Sequence, residues 1–382
     1  MRLSRTDAQL IGLTLLVKLL LLIGGAVAFM VFSGETLHGP RALLEVWDRW
    51  DAPHYTDLAV FGYRAVDPGN LVADGYRSIY PGDLPLYIVF YPLFPWAVAA
   101  VYAVIRDPMV AAFAVSTVAS LFVAPLLARL VALDFDLAIG RRAAIFLLIF
   151  PTAYFLHIGY TESLFLGLVL GSFLAARTDR WWLAGVLGAL ATLTRVNGLV
   201  LVPALAAEAL VQWWPERRWR WRWLGIAIVP LGFVGYLALN QAVYGDALAF
   251  LAIQHDHWFK SLSPPWVGIA GVIESIRTRS PDDAFMLGWM ELAFVGLGLV
   301  ASVVAALRFR ASWAVWMAGN WLLITSTGFV MSVPRYTLVL FPLFAWFALL
   351  TRSRWVALAV GTGSVLGLAY FAGRFAAGQW AF

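Results

Sequence analysis

The 382-residue chain contains no cysteine. That excludes disulfides, thiolate nucleophiles and thiolate metal sites, so a metal centre would have to be built from carboxylates and five histidines. No Asn-x-Ser/Thr sequence is present, so the chain offers no N-glycan acceptor. Charge is also scarce: 13% of residues are Asp, Glu, Lys or Arg, against 62% hydrophobic, which excludes an ordinary soluble domain. No internal repeat of about half the chain is visible, and this weighs against the inverted-repeat transporters.

What fills the chain instead is apolar sequence. The run from Gln9 to Phe32 is long enough to cross about 30 Å of hydrocarbon, and no A-x-A-like cleavage site follows it, so it reads as a retained first span. Further apolar segments lie near 84–105, 109–132, 143–158, 161–176, 181–194, 198–212, 223–243, 284–307, 311–330, 335–350 and 354–376. The expected fold is an all-α polytopic membrane protein. It would have roughly ten to twelve transmembrane or re-entrant helices in one integral membrane domain over residues 1–382.

Arginines gather at Arg2 and Arg5, Arg141–Arg142, Arg177 and Arg180, the PERRWRWRW run, Arg308 and Arg310, and Arg352 and Arg354. The positive-inside rule makes these connections cytoplasmic. The first long connection, 33–83, carries eight acids (Glu35, Glu45, Asp48, Asp51, Asp57, Asp67, Asp74, Asp83) and reads as a large external loop. Residues 244–282 read as a second one. Strict alternation does not put Arg141–Arg142 inside and Tyr160–Glu162 outside together. Either one of 84–105, 109–132 and 143–158 fails to cross, or those arginines break the rule. The mixed cations and indoles of WWPERRWRWRW (213–223) fit a membrane interface better than a nucleic-acid surface. Lys18, inside the first span, fits either snorkelling to headgroups or contact with a lipid phosphate.

Polar outliers collect on the external segments. All five histidines (His38, His54, His157, His255, His257) fall there, as do GYTES (159–163), TLTRVNG (192–198) and SVPRY (332–336). Glu162 fits a helix-start position stabilised by the helix dipole as well as a functional role. Arg195 sits where two half-length apolar segments meet at Asn197–Gly198, a break of the kind that lines a cavity. Arg335, after Pro334, fits an interfacial anchor or a functional cation. His255 and His257 could ligate a metal only on an extended segment that turns both rings to one face. In WDRWDAPHY (47–55), Asp48 and Asp51 share a face if the stretch is helical, while Pro53 belongs near a helix start. Trp47, Trp50 and Tyr55 are expected to desolvate these acids and raise their pKa, which makes a better base.

The ordered set RWDAPHY (49–55), LAVFGY (58–63), FYPLFP (90–95), PTAYFLHIGYTES (151–163), TRVNG (194–198) and PRYTLVLFP (334–342) resembles the glycosylphosphatidylinositol mannosyltransferase II family. The resemblance includes that family's bacterial homologues, within the type C glycosyltransferases, and runs over most of the chain. Two departures stand out: threonine precedes Glu162, and an extended insertion lies between Tyr63 and Phe90. The resemblance implies a multi-span enzyme of the bacterial cell membrane. It would transfer mannose or another hexose, with inversion, from a polyprenyl-phosphate sugar to a lipid-linked or glycan acceptor on the external face. It also implies Asp51 as catalytic acid, with His54 at the family's histidine position and Glu162 in its serine-glutamate stretch. On chemical grounds Asp51 is then the expected base, His54 and Glu162 orient acceptor or base, and Asp48 is the reserve base or metal ligand. Arg195, Arg335 and Tyr336 are the expected contacts of the donor phosphate. No firm cofactor or nucleic-acid partner is implied. A transporter or flippase, or a non-catalytic membrane partner subunit, are the competing classes.

Overall fold

The structure is a computed structural model that describes residues 4–63 and 84–382. Asp67, Asp74, Asp83 and residues 64–83 of the inserted stretch lie outside the described residues.

Each apolar segment is helical or contains a helix. Among the described residues, six helices are long and apolar enough to cross a membrane: Arg5–Ser33, Pro108–Ala132, Val196–Pro215, Trp221–Tyr244, Pro281–Arg308 and Arg354–Ala376. Val333–Val339 and Pro342–Leu350, bent by 87° about the Leu340–Phe341 junction, make a seventh if taken as one broken span. The first helix shows how local sequence sets its limits. Ser4 and Asp7 form a reciprocal capping box at its start, and Gly34, at φ 72°, takes the left-handed turn that ends it. No strand forms among the described residues, apart from an isolated antiparallel bridge between Leu262 and Thr327.

Ion pairs resolve the alternation problem. Arg129, near the end of helix Pro108–Ala132, bonds Asp7 at the start of the first helix, with Nε to Oδ1 at 3.0 Å. At the other end of the same helix, Asp107 pairs with Arg41, which follows the first helix. The two helices are therefore antiparallel, and Asp107 lies on the same side as residues 41–63. Helix Leu93–Ile105 carries Phe94 in its first turn, whose ring meets Tyr55 edge-on at 5.2 Å, and ends next to Asp107. It begins and ends on one side, so segment 84–105 is the one that fails to cross. Arg141–Arg142 then obey the charge rule.

The two ends of the bundle differ in chemistry. At the arginine-rich end, Arg177 holds Asp134 through two bonds of 2.7 and 2.8 Å. Beside it, Arg310 holds Glu208 at 3.1 and 2.7 Å, and Ser312 adds a third bond to the same carboxylate. Two guanidiniums and two carboxylates thus neutralise one another where four helices meet, which is how buried charge is tolerated. Arg217 lies over the rings of Trp213 and Trp214 at 4.7 and 4.0 Å, while Trp219 and Trp221 are exposed, as expected of an interfacial belt. Lys18 does not snorkel to the surface but is buried in the bundle. Its Nζ donates to the His157 carbonyl at 2.6 Å, beneath the Phe113 ring, so its charge joins the first helix to the 149–161 connection.

The opposite end carries the short elements Ala52–Phe61, Leu93–Ile105, Ala249–Trp258 and Pro265–Thr278. Trp47 anchors the first of these to the bundle. Its indole is fully buried between Tyr154 and Phe375 and fills the notch left by Gly25, where a Cβ would sit 2.2 Å from the ring.

Candidate active site

WDRWDAPHY folds as a turn leading into a helix. Pro53 sits in the first turn of Ala52–Phe61, where its fixed φ and missing N–H fit, and Asp51 is the N-cap residue. Trp50 takes a positive φ of 58°, which swings its ring outward onto Trp380 at 5.1 Å, edge-on. The backbone around Asp51 is braced by Tyr160: its hydroxyl donates to the Arg49 carbonyl at 2.7 Å and accepts the Asp51 N–H at 3.2 Å. Asp51 does not cap its own helix. Its carboxylate accepts a bond of 2.6 Å from Nη1 of Arg335.

Arg335 arrives on the short helix Val333–Tyr336. Glu291 fixes that segment by accepting the amides of Ser332 at 2.6 Å and Val333 at 2.8 Å. The guanidinium then uses a second nitrogen: Nε donates to Oε1 of Glu162 at 2.5 Å. The same oxygen accepts Nη1 of Arg195 at 2.6 Å, and that nitrogen also reaches the Thr161 hydroxyl at 2.8 Å. Glu162 is the first residue of its helix, but it bridges two arginines in addition to meeting the helix dipole. Its other oxygen, Oε2, is buried and has no hydrogen-bond partner among the described residues. Arg195 is extended, at φ −158°, between Thr194 and the 3-10 turn Val196–Val200. Gly198 permits the break, because a Cβ there would lie 2.5 Å from the Thr192 nitrogen. The expected discontinuity is present, and it carries Arg195 into the cluster.

Asp51, Arg335, Glu162 and Arg195 therefore form one alternating chain of charge. Accessibility separates its carboxylates: Asp51 is 33% exposed and Glu162 is 1%. Of the two carboxylates, Asp51 is the one with surface open to a bound molecule. Aromatic faces line the cations, with Arg335 over Tyr160 at 4.6 Å and Phe155 at 4.8 Å. Tyr336 lies within reach of three cations: Arg195 at 5.1 Å, Lys260 at 5.5 Å and Arg335 at 5.9 Å.

The expectation that aromatics raise both carboxyl pKa values is corrected for Asp51. Enclosure by the protein does push it up, but the charge and hydrogen bond of Arg335 outweigh this and hold it below the usual carboxylate value. Asp48 behaves as expected for a desolvated acid. Burial, reinforced by Asp57, lifts it to about 6. Asp48 makes no ion pair with the arginine cluster among the described residues, so the two aspartates of the motif occupy different electrostatic settings.

The His54 ring lies tilted against Tyr87 at 4.3 Å and Phe90 at 5.1 Å, and its backbone N–H bonds the Asp51 carbonyl. His38 is exposed and paired with Thr36. His255 and His257 lie on helix Ala249–Trp258, where residues two apart point to different faces, and His255 bonds Asp256 instead. The geometry a shared metal would need is not formed there. Among the described residues no group of three or more His, Asp or Glu converges on a metal position. Sequence reasoning missed Tyr160, Phe155, Glu291 and Lys260. Glu291 carried a usable signal as a lone acid inside an apolar run. Lys260 carried another, as one of two lysines in a chain whose other basic residues are all arginine.

Residues 46–217 match the family model described as mannosyltransferase (PIG-V). That range holds Asp51, Glu162 and Arg195, while Arg335 lies beyond it. No curated protein matches the chain in sequence. Among solved structures, ArnT from Cupriavidus metallidurans bound to undecaprenyl phosphate is similar with a TM-score of 0.52 at 16% identity, over 94% of this chain and 63% of that one. The Archaeoglobus fulgidus oligosaccharyltransferase, in complex with Zn and sulfate, gives 0.48 at 10% identity, over 94% and 53%. The chain thus spans less than two thirds of the length of these proteins. The likeness to the first shows a shared fold.

Proposed function

We propose that this chain, matched to the PIG-V mannosyltransferase family over residues 46–217 and folded as a type C glycosyltransferase, is a membrane hexosyltransferase with Asp51 as its base. The donor is a polyprenyl-phosphate sugar, with mannose favoured by the family. The acceptor is a hydroxyl on a lipid-linked or glycan molecule, and transfer takes place on the non-cytoplasmic face with inversion.

One observation carries this reading. An accessible carboxylate shares a guanidinium with a cluster of cations, so the group that removes a proton sits beside groups that stabilise a departing phosphate. Inverting transfer needs both at once: a base for the acceptor proton, and positive charge where the leaving phosphate develops its own. Asp51 takes the proton as the acceptor oxygen attacks the sugar carbon and the bond to phosphate oxygen breaks. Arg335 and Arg195 supply the charge, with planar donors suited to phosphate oxygens. Glu162, enclosed by both arginines, holds them in place. His54, one helical turn after Asp51 and packed against Tyr87 and Phe90, orients the acceptor side. The external placement rests on the arginine-rich opposite end.

The test is reconstitution of the purified protein with radiolabelled polyprenyl-phosphate mannose and a crude lipid acceptor pool. Donor-dependent labelling is expected, with Asp51→Asn lowering the rate about 10²–10⁴-fold, the usual span of general-base catalysis. Undiminished labelling in Asp51→Asn would remove Asp51 as base. Loss in Asp48→Asn alone would move that role to Asp48, whose raised pKa suits a base near neutrality.

A further inference from the structure

The cations around Tyr336 are not equivalent. Arg195 and Arg335 are each committed to a carboxylate. Lys260 faces the same ring and has no acid within ion-pair distance among the described residues. Glu291, which it faces electrostatically, already has its two oxygens on the Ser332 and Val333 amides.

The position of Lys260 is built. Phe259 takes a left-handed φ of 54° to end helix Ala249–Trp258, which lets the Lys260 N–H bond the Gln254 carbonyl at 3.0 Å. The residues after it are pinned to the chain just before the Arg335 segment. Gly328 donates to the Ser261 carbonyl at 2.9 Å, Ser263 donates to the Ser326 carbonyl at 3.3 Å, and Leu262 bridges Thr327. Gly268 allows this approach, since a Cβ there would sit 2.4 Å from the Thr327 carbonyl oxygen. Lys260, itself half-buried, is thereby held with its ammonium over Tyr336, the ring that Arg195 and Arg335 also face.

We infer that Lys260 is a phosphate-binding residue of the donor subsite, seating the phosphate ester of a lipid-linked sugar against Tyr336 beside Arg195 and Arg335. An ammonium is a compact point charge with three rotatable donors, able to meet an anion before either guanidinium must release its carboxylate. The inference rests on the donor class proposed above and adds the residue that first receives it.

The experiment measures equilibrium binding of radiolabelled undecaprenyl phosphate, without sugar or acceptor, to the full-length protein in detergent, against phosphatidylglycerol as the competing phosphate lipid. Lys260→Gln is expected to raise the Kd about tenfold, the size of one charge-assisted contact, while Lys260→Arg keeps it within about threefold. In wild type, undecaprenyl phosphate should also protect Lys260 from amine acetylation, read by peptide mass spectrometry, where phosphatidylglycerol does not. Tight binding that is unchanged in Lys260→Gln, with no protection, overturns the inference and leaves the hexosyltransferase reading standing. Equal protection by both lipids reassigns Lys260 to general headgroup contact. Failure of wild type to prefer undecaprenyl phosphate overturns the donor class and the inference together.

Discussion

Two aspartates three positions apart in one motif are held on opposite sides of the ordinary carboxylate pKa, and the cause is which charge each one meets. Asp51 meets Arg335, and Asp48 meets Asp57 in a buried setting. For Asp48 the linkage has a definite sign. Its folded pKa is raised, so between pH 3.8 and about 6 the folded protein keeps a proton that the unfolded chain releases, and stability falls as pH climbs through that window. Asp48→Asn is therefore expected to raise thermal stability at pH 7.5, by at most about 3 kcal/mol, with little gain at pH 4. Melting curves in detergent at both pH values check this, and an equal shift at both would contradict it. Asp48 and Asp51 could be named from the motif, and so could Glu162, Arg195 and Arg335. Their pairing could not, because Glu162 has one oxygen shared by residues 195 and 335, and nothing local encodes that meeting. Tyr160 was invisible for a related reason: it acts through backbone atoms of Arg49 and Asp51, which carry no side-chain signature.

Helical elements were legible from the apolar runs, and some limits from glycine and proline, as at Gly198 and Pro53. Whether a run crosses was not. Leu93–Ile105 is as apolar as its neighbours, and only the pairing of Asp107 with Arg41 reveals that it turns back. The metal option at His255 and His257 failed at this level too, since it required extended backbone and the segment is helical. Close approaches between elements depend on glycines that read in sequence merely as small. Gly25 bears on the site through Trp47, which fills its notch and holds the turn that carries Asp51. Gly25→Ala is expected to displace the indole and to lower stability by about 1–3 kcal/mol. Differential scanning fluorimetry measures this, and activity should fall with it more than for Gly12→Ala, where a Cβ meets nothing within 4 Å.

Across the whole molecule the short non-crossing helices collect at the end that holds the site, and the arginine network closes the other. The absence of cysteine makes this polarity directly testable. In intact cells, Leu262→Cys, 91% exposed on the site side, should react with a membrane-impermeant maleimide, whereas Arg352→Cys should react only after lysis. The reverse pattern would overturn the external placement. One feature of the site extends into time. Asp51 and Arg335 touch across 284 positions of sequence, and Glu162 and Arg335 across 173. As the chain leaves the ribosome and enters the bilayer, the aspartate is in place long before its cation exists. The charge cluster around Asp51 is therefore incomplete until the segment that carries Arg335 has docked.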